Sequence, residues 1–166
     1  MNDAHLHMVV NHFPIIGIIL GFGILVTGLF LKNNSVKNTA YCLFIVGAIF
    51  AAVSMATGEG AEEIVEELGV SHEIIHEHEE IAETFMKVLY GLGILSILGL
   101  VANLKKHSKS AIVSYVVLVL AISSAVLSKS VGTSGGEIRH TEIRENTVNT
   151  ASDIQNEIQA EEGDDH

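Results

Sequence analysis

The chain has 166 residues, of which 48% are apolar and 17% are charged, and its formal net charge is −11. This acidic balance lacks the basic stripe typical of nucleic-acid-binding proteins, so we expect no nucleic-acid partner. The charges are also unevenly placed, because all 20 Asp and Glu lie outside four long apolar runs. Each run has about the roughly 20 residues that a helix needs to cross a bilayer, which argues against a soluble globular enzyme.

The four runs predict an all-α, integral-membrane fold. The expected spans cover about residues 8–31, 39–56, 84–104 and 111–128. Strands are not expected, because the runs show no polar alternation and an open sheet could not satisfy its backbone in lipid. The first run has no basic region before it and no small-residue cleavage site. We therefore interpret it as a retained span and not as a signal peptide.

Lysines predict the orientation of these spans. Lys32 and Lys37 flank the first short turn, and three more crowd the turn between the third and fourth spans: Lys105, Lys106 and Lys109. By the positive-inside rule both short turns are cytoplasmic. The expected architecture is an antiparallel four-helix bundle, with both termini and a helical loop, residues 58–83, on the external side. Residues 1–145 form this domain, and residues 146–166 form an acidic tail that we expect to be mobile.

Glycines cluster in the first and third spans, at Gly17, Gly21, Gly23, Gly28, Gly91, Gly93 and Gly99. Small residues four apart, such as Gly17 and Gly21, let two helices approach closely. We interpret these glycines as positions of tight packing within the chain. A dimer face, or a slot for a flat cofactor, is the alternative.

Eight of the nine histidines fall on the predicted external side. His12 lies at the mouth of the first span, where an ionisable group tends to face the bundle interior and to be functional. We expect His78 to point inward and His72 and His76 to face solvent. The reason is that His78 lies on an apolar helical stripe with Ala82, Phe85, Leu89, Leu92 and Ser96.

His140 follows a segment with three glycines, Gly132, Gly135 and Gly136. These glycines permit a sharp reversal, which would lay His140 across the top of the bundle. His12, His78 and His140 come from separate elements, and this suggests ligation of a metal or haem, since neutral imidazole binds zinc, copper and iron. One cysteine and no Cys-x-x-Cys-His motif exclude covalent c-type haem, so any haem would be non-covalent.

Five short motifs follow one another along residues 5–145. They are His5-Leu-His7, Asn11-His12-Phe13-Pro14-Ile15, Thr57-Gly58-Glu59, His78-Glu-Glu-Ile-Ala82 and Gly135-Gly136-Glu-Ile-Arg-His140. In this the chain resembles a bacterial inner-membrane family of unknown function, which has four spans and is suspected of binding b-type haem. The resemblance implies haem-binding roles for His12, His78 and His140, and after them for His5 and His7. The chain departs from the family at His140, which follows Gly136 after only three residues.

The leading prediction is a cytochrome b-like electron-transfer protein of the bacterial inner membrane, with haem b near the external face. We expect an electron-transfer subunit rather than a stand-alone enzyme. His12 and His78 are the predicted axial ligands, while His140 with His7 or His5 would supply a second pair or supporting hydrogen bonds. Besides the lipid bilayer, the expected partners are a quinol or membrane dehydrogenase and a c-type cytochrome or larger respiratory complex.

Two alternatives stay open at this point. One is a non-haem copper or zinc site made by His72, His76, His78 and neighbouring glutamates. The other is a structural accessory subunit, whose helices and acidic tail hold a larger respiratory complex together. A transporter is less favoured, because transport paths usually leave ionisable groups inside the membrane.

Overall fold

A computed structural model of the chain describes residues 2–144, and all regular structure in this range is helical. The helices are α1 (Asp3–Val10), α2 (His12–Phe30), α3 (Asn34–Glu67), α4 (His72–Leu104) and α5 (Ser110–Arg139), followed by a 3₁₀ turn (Thr141–Ile143). The prediction of an all-α chain is confirmed for these residues. The predicted acidic tail, residues 146–166, lies outside the described range.

Four helical stretches are long and apolar enough to cross a membrane: Asp3–Phe30 (α1 with α2), Asn34–Glu67, His72–Leu104 and Ser110–Arg139. At 1.5 Å per residue, α3 and α4 are each about 50 Å long, whereas the hydrocarbon core of a bilayer is about 30 Å thick. The apolar segments 39–56 and 84–104 therefore occupy only part of each helix. Between these segments lie residues 58–83, which comprise the end of α3, the connecting turn and the start of α4. They carry ten glutamates, and we call them the acidic extension.

Glycines set the distance between neighbouring helices. A Cβ built on Gly21 of α2 would lie 2.5 Å from the ring of Phe44 in α3, and a Cβ on Gly93 of α4 would lie 2.7 Å from Cβ of Ala48. Only glycine fits at such positions without a shift of the neighbour. These glycines pack helices of the same chain, as the sequence interpretation favours.

Two side-chain hydrogen bonds also join the helices, one buried and one partly buried. The Tyr41 hydroxyl of α3 donates to Oγ of Ser114 in α5 at 2.8 Å. The Asn103 side chain of α4 donates to Oδ1 of Asn38 in α3 at 2.9 Å. Between apolar helices in lipid there is no hydrophobic driving force, so close packing and hydrogen bonds of this kind hold a bundle together.

Each of the three short connections between α2, α3, α4 and α5 has one residue in the left-handed backbone region. These residues are Lys32 (φ 50°), Gly69 (φ 86°) and Lys106 (φ 51°). At the middle turn the N–H of Val70 donates to the carbonyl of Val65 at 3.2 Å, and the N–H of Gly69 donates to that of Glu66 at 2.8 Å. This is the Schellman pattern, which ends a helix and satisfies its last carbonyls.

The predicted reversal at the glycines after the fourth span is wrong. Helix α5 runs without a break through all three glycines to Arg139. A Cβ on Gly135 would lie 3.0 Å from Cε1 of His78, so the small size of this glycine serves close helix packing and not a turn. The chain turns later, at the 3₁₀ turn, where the Arg144 guanidinium donates to the carbonyls of Glu137 and Ile138.

Candidate functional site

A cavity of about 860 Å³ lies at the end of the bundle that carries the acidic extension. Its wall is formed by α1, the acidic extension, the adjoining part of α3 and the end of α5. Four histidines line it: His5, His7, His76 and His78. Apolar side chains line it too, among them Met8, Met55, Val65, Ile75 and Ile138. A concave, largely apolar space of this size with a few polar groups is typical of a small-molecule or cofactor site.

His7 is held in the cavity wall by α3. Its Nδ1 lies 3.0 Å from the carbonyl oxygen of Ser54 and 3.2 Å from Oγ1 of Thr57. A carbonyl oxygen can only accept a hydrogen bond, so Nδ1 of His7 carries the proton and donates it. In a neutral imidazole the lone pair is then on Nε2, which is the nitrogen left to bind a ligand. The ring is half-buried.

His78 is held in the same way by α5. Its Nδ1 lies 2.9 Å from Oγ of Ser134, and that hydroxyl donates to the carbonyl of Val131 at 3.3 Å. The Ser134 oxygen therefore accepts from Nδ1 of His78, and the lone pair of this imidazole is again on Nε2. The ring is half-buried, whereas His72 and His76 are exposed, as the helical stripe predicts.

The charge state of His78 follows from its surroundings. It precedes the apolar segment 84–104, and burial lowers the pKa of its imidazole, with the nearby His7 acting in the same direction. The ring is therefore held in its neutral form at pH values where a solvated histidine begins to be protonated. Neutral imidazole is the form that binds metals and haem iron.

His12 and His140 are not part of this cavity. His12 is exposed, and its Nδ1 donates to the carbonyl of Met8 at 2.9 Å. His140 is exposed, and its Nδ1 lies 2.8 Å from Oε1 of Glu142. The predicted trio of His12, His78 and His140 is thus not brought together. The structure places His7 with His78, and puts His5 and His76 on exposed parts of the same wall.

The helical period places His7, and not His12, on the buried face of the first helical stretch. His7 continues a stripe of buried positions at steps of three and four: Val10, Pro14, Ile18, Gly21, Leu25 and Gly28. His12 lies off this stripe. Ser134 likewise continues the buried face of α5, after Ser124 and Ser128. No sequence signal indicated that Ser54 and Thr57 would contact His7.

A second group of ligand-type side chains lies on the acidic extension. Glu62, Glu66 and His72 place one ligand atom each within 4.8 Å of one another. Nδ1 of His72 is 2.7 Å from Oε1 of Glu66, and this hydrogen bond raises the pKa of His72. Within residues 2–144, no other three His, Cys, Asp or Glu converge so closely. Of the predicted copper or zinc set, His72 is thus gathered with neighbouring glutamates, whereas His76 and His78 do not join them.

Comparison of the chain with protein-family models, with curated proteins and with solved structures found no match.

Proposed function

We propose that the chain is an antiparallel four-helix bundle of the bacterial inner membrane, with both termini and the acidic extension on the periplasmic side. Four membrane-length helices support insertion into a lipid bilayer. The lysines at two short turns support the orientation, because positively charged turns stay in the cytoplasm. The ten glutamates of the acidic extension then face the periplasm, where the cavity opens.

Haem b would bind non-covalently in the cavity, and His7 and His78 would hold its iron. The observation that carries the proposal is that both rings line one cavity with Nδ1 occupied and Nε2 available. Haem iron is commonly held in proteins by one or two side chains such as histidine, so a pair of imidazoles suffices. A bare zinc ion takes three or four protein ligands, and the cavity histidines do not gather such a set.

The surrounding residues would support these ligands. Ser54 and Thr57 would orient His7, and Ser134 would orient His78, as partners of the second ring nitrogen usually do. His5 and His76, on exposed parts of the wall, are the remaining candidates there. His12 and His140 lie outside the cavity, and the proposal gives them no ligand role.

When bound, haem would supply one-electron transfer. The chain would act as an electron-transfer subunit between a quinol or membrane dehydrogenase and a c-type cytochrome or larger respiratory complex. The negative charge of the acidic extension favours association with a positively charged partner, because complementary charge steers association.

The test is a visible spectrum of the full chain, purified in detergent and supplied with haem. Dithionite should produce sharp absorption bands in the wild-type protein and in the exposed-histidine control His72→Ala. The double variant His7→Ala, His78→Ala should lose them. If the wild-type protein gives no sharp bands, it does not bind haem. If bands survive in the single variant His7→Ala and vanish in His12→Ala and in His78→Ala, the ligands are those that the resemblance implies.

A second candidate is a copper or zinc site on the acidic extension, supported by the convergence of Glu62, Glu66 and His72. It predicts metal by elemental analysis after dialysis, with no Soret band. The variants Glu66→Gln and His72→Ala should lose the metal, and Glu63→Gln, an exposed neighbour, should keep it. Retention in all three variants would contradict this site.

A further inference from the structure

The wall of the cavity is acidic except at one place. Five glutamates line it: Glu59, Glu62, Glu79, Glu80 and Glu83. Arg139, the last residue of α5, is the one Lys or Arg on this wall among residues 2–144. A ligand that carries a negative group meets repulsion along most of this wall and attraction only near Arg139.

Two arginines lie near the end of α5, and the fold uses them differently. The Arg144 guanidinium donates to the carbonyl oxygens of Glu137 at 2.8 Å and Ile138 at 3.2 Å, and so satisfies carbonyls at the helix end. Arg139 forms no hydrogen bond through its side chain, and no ion pair, with any residue of the described range. It is exposed and lies on the cavity wall. Arg144 is therefore the residue that satisfies the carbonyls at the helix end, and the guanidinium of Arg139 is available to a ligand.

We propose that Arg139 binds a carboxylate of the ligand, and that it makes the cavity selective for a porphyrin with free propionates. This inference rests on the proposed haem function. A guanidinium presents a planar fork of donors that matches a carboxylate, and its charge offsets the surrounding glutamates. The exposed position of Arg139 lets the propionates stay hydrated while the porphyrin ring contacts the apolar wall.

The experiment compares iron protoporphyrin IX with its dimethyl ester, in which both propionates are blocked. The full chain in detergent is titrated with each compound, and binding is followed by the Soret band. The quantity of interest is the ratio of the two dissociation constants, ester over free acid. Because the same detergent is present throughout, partitioning of the ester into micelles cancels when this ratio is compared between variants.

We expect the ratio to be roughly fivefold larger in the wild-type protein than in Arg139→Gln, as for an exposed charge-assisted pair. Arg139→Lys should keep part of the preference, since it keeps the charge. Arg144→Gln is the matched control: it should lower the thermal stability of the helix end and leave the ratio unchanged.

The outcomes separate the two proposals. If Arg139→Gln binds haem with the wild-type ratio, Arg139 does not bind the carboxylate, while the haem function stands. If the ratio falls in Arg144→Gln and not in Arg139→Gln, the carboxylate is bound by Arg144 and not by Arg139. If the wild-type chain binds neither porphyrin, the proposed function fails and this inference fails with it. Circular dichroism of each variant shows whether the helices are retained.

Discussion

His78 and Ser134 are 56 residues apart in the chain, and Nδ1 of the histidine lies 2.9 Å from Oγ of the serine. The contact joins the acidic extension to the last turns of α5. It occupies one ring nitrogen and leaves the lone pair of the other available. A serine on a distant helix thus determines which nitrogen of His78 can bind a ligand.

Removing this serine hydroxyl should weaken haem binding. In Ser134→Ala, Nδ1 of His78 loses its acceptor, and the ring is free to rotate or to change tautomer. We expect about a tenfold loss of haem affinity in a Soret titration, typical for loss of a hydrogen bond to a ligating histidine. Ser123→Ala is the control, because Ser123 is exposed on the same helix and donates only to the carbonyl of Val119. Equal affinities in the two variants would show that Ser134 does not orient His78.

Two glycines of α5 should respond differently to the same substitution. A Cβ on Gly135 would lie 3.0 Å from Cε1 of His78, whereas a Cβ on Gly132 would meet nothing within 4 Å. Gly132→Ala should stabilise the helix by up to about 1 kcal/mol in thermal unfolding. Gly135→Ala should displace the His78 ring and reduce haem affinity severalfold. If the Gly135→Ala variant binds haem as the wild type does, the small size of Gly135 is not required to place the His78 ring.

The ion pair of His72 and Glu66 should be visible in the titration of the histidine. The hydrogen bond to Glu66 raises the pKa of His72 above that of an unfolded chain. The pair therefore stabilises the fold at low pH, and this contribution is lost as the pH rises through the raised pKa. NMR titration of labelled histidine should show the pKa fall in Glu66→Gln and stay unchanged in Glu63→Gln. An unaltered value in Glu66→Gln would mean that the contact is absent in solution.

The pH dependence of stability that His78 contributes should be opposite to that of His72. Because burial lowers its pKa below the usual value of 6.5, the unfolded chain binds a proton more readily than the folded one. Stability should therefore fall as the pH drops below 6.5. His78→Gln removes the titrating group, so the loss of thermal stability between pH 7.5 and 5.5 should be smaller in this variant. A variant that loses as much as the wild type would show that His78 is not held neutral.

The glycine contacts of α2 can be tested by a second matched pair. A Cβ on Gly21 would lie 2.5 Å from the Phe44 ring, and a Cβ on Gly23 would meet nothing within 4 Å. Gly21→Ala should destabilise the monomer by about 1–3 kcal/mol through overpacking, whereas Gly23→Ala should be neutral or stabilising. Unfolding in detergent measures both. If Gly21→Ala changes only the oligomeric state, Gly21 belongs to a dimer face.

The sequence by itself determined the helical class, the four membrane-length helices and the inward direction of His78. These properties are local, since the length of an apolar run gives the length of a helix and the 3.6-residue period gives the direction of a side chain about its own axis. The same period also places His7 on the buried face of the first helix, so the sequence contained a signal for this part of the candidate site.

Only the tertiary structure decided which groups meet at that face. The contacts of His7 with Ser54 and of His78 with Ser134 depend on how far each helix slides along its neighbour, and a helical period carries no information on that distance. Gly135 shows the same limit. A glycine allows both a chain reversal and a close helix contact, and the ring of His78, brought against it by the packing of α4 on α5, is what makes it a packing position.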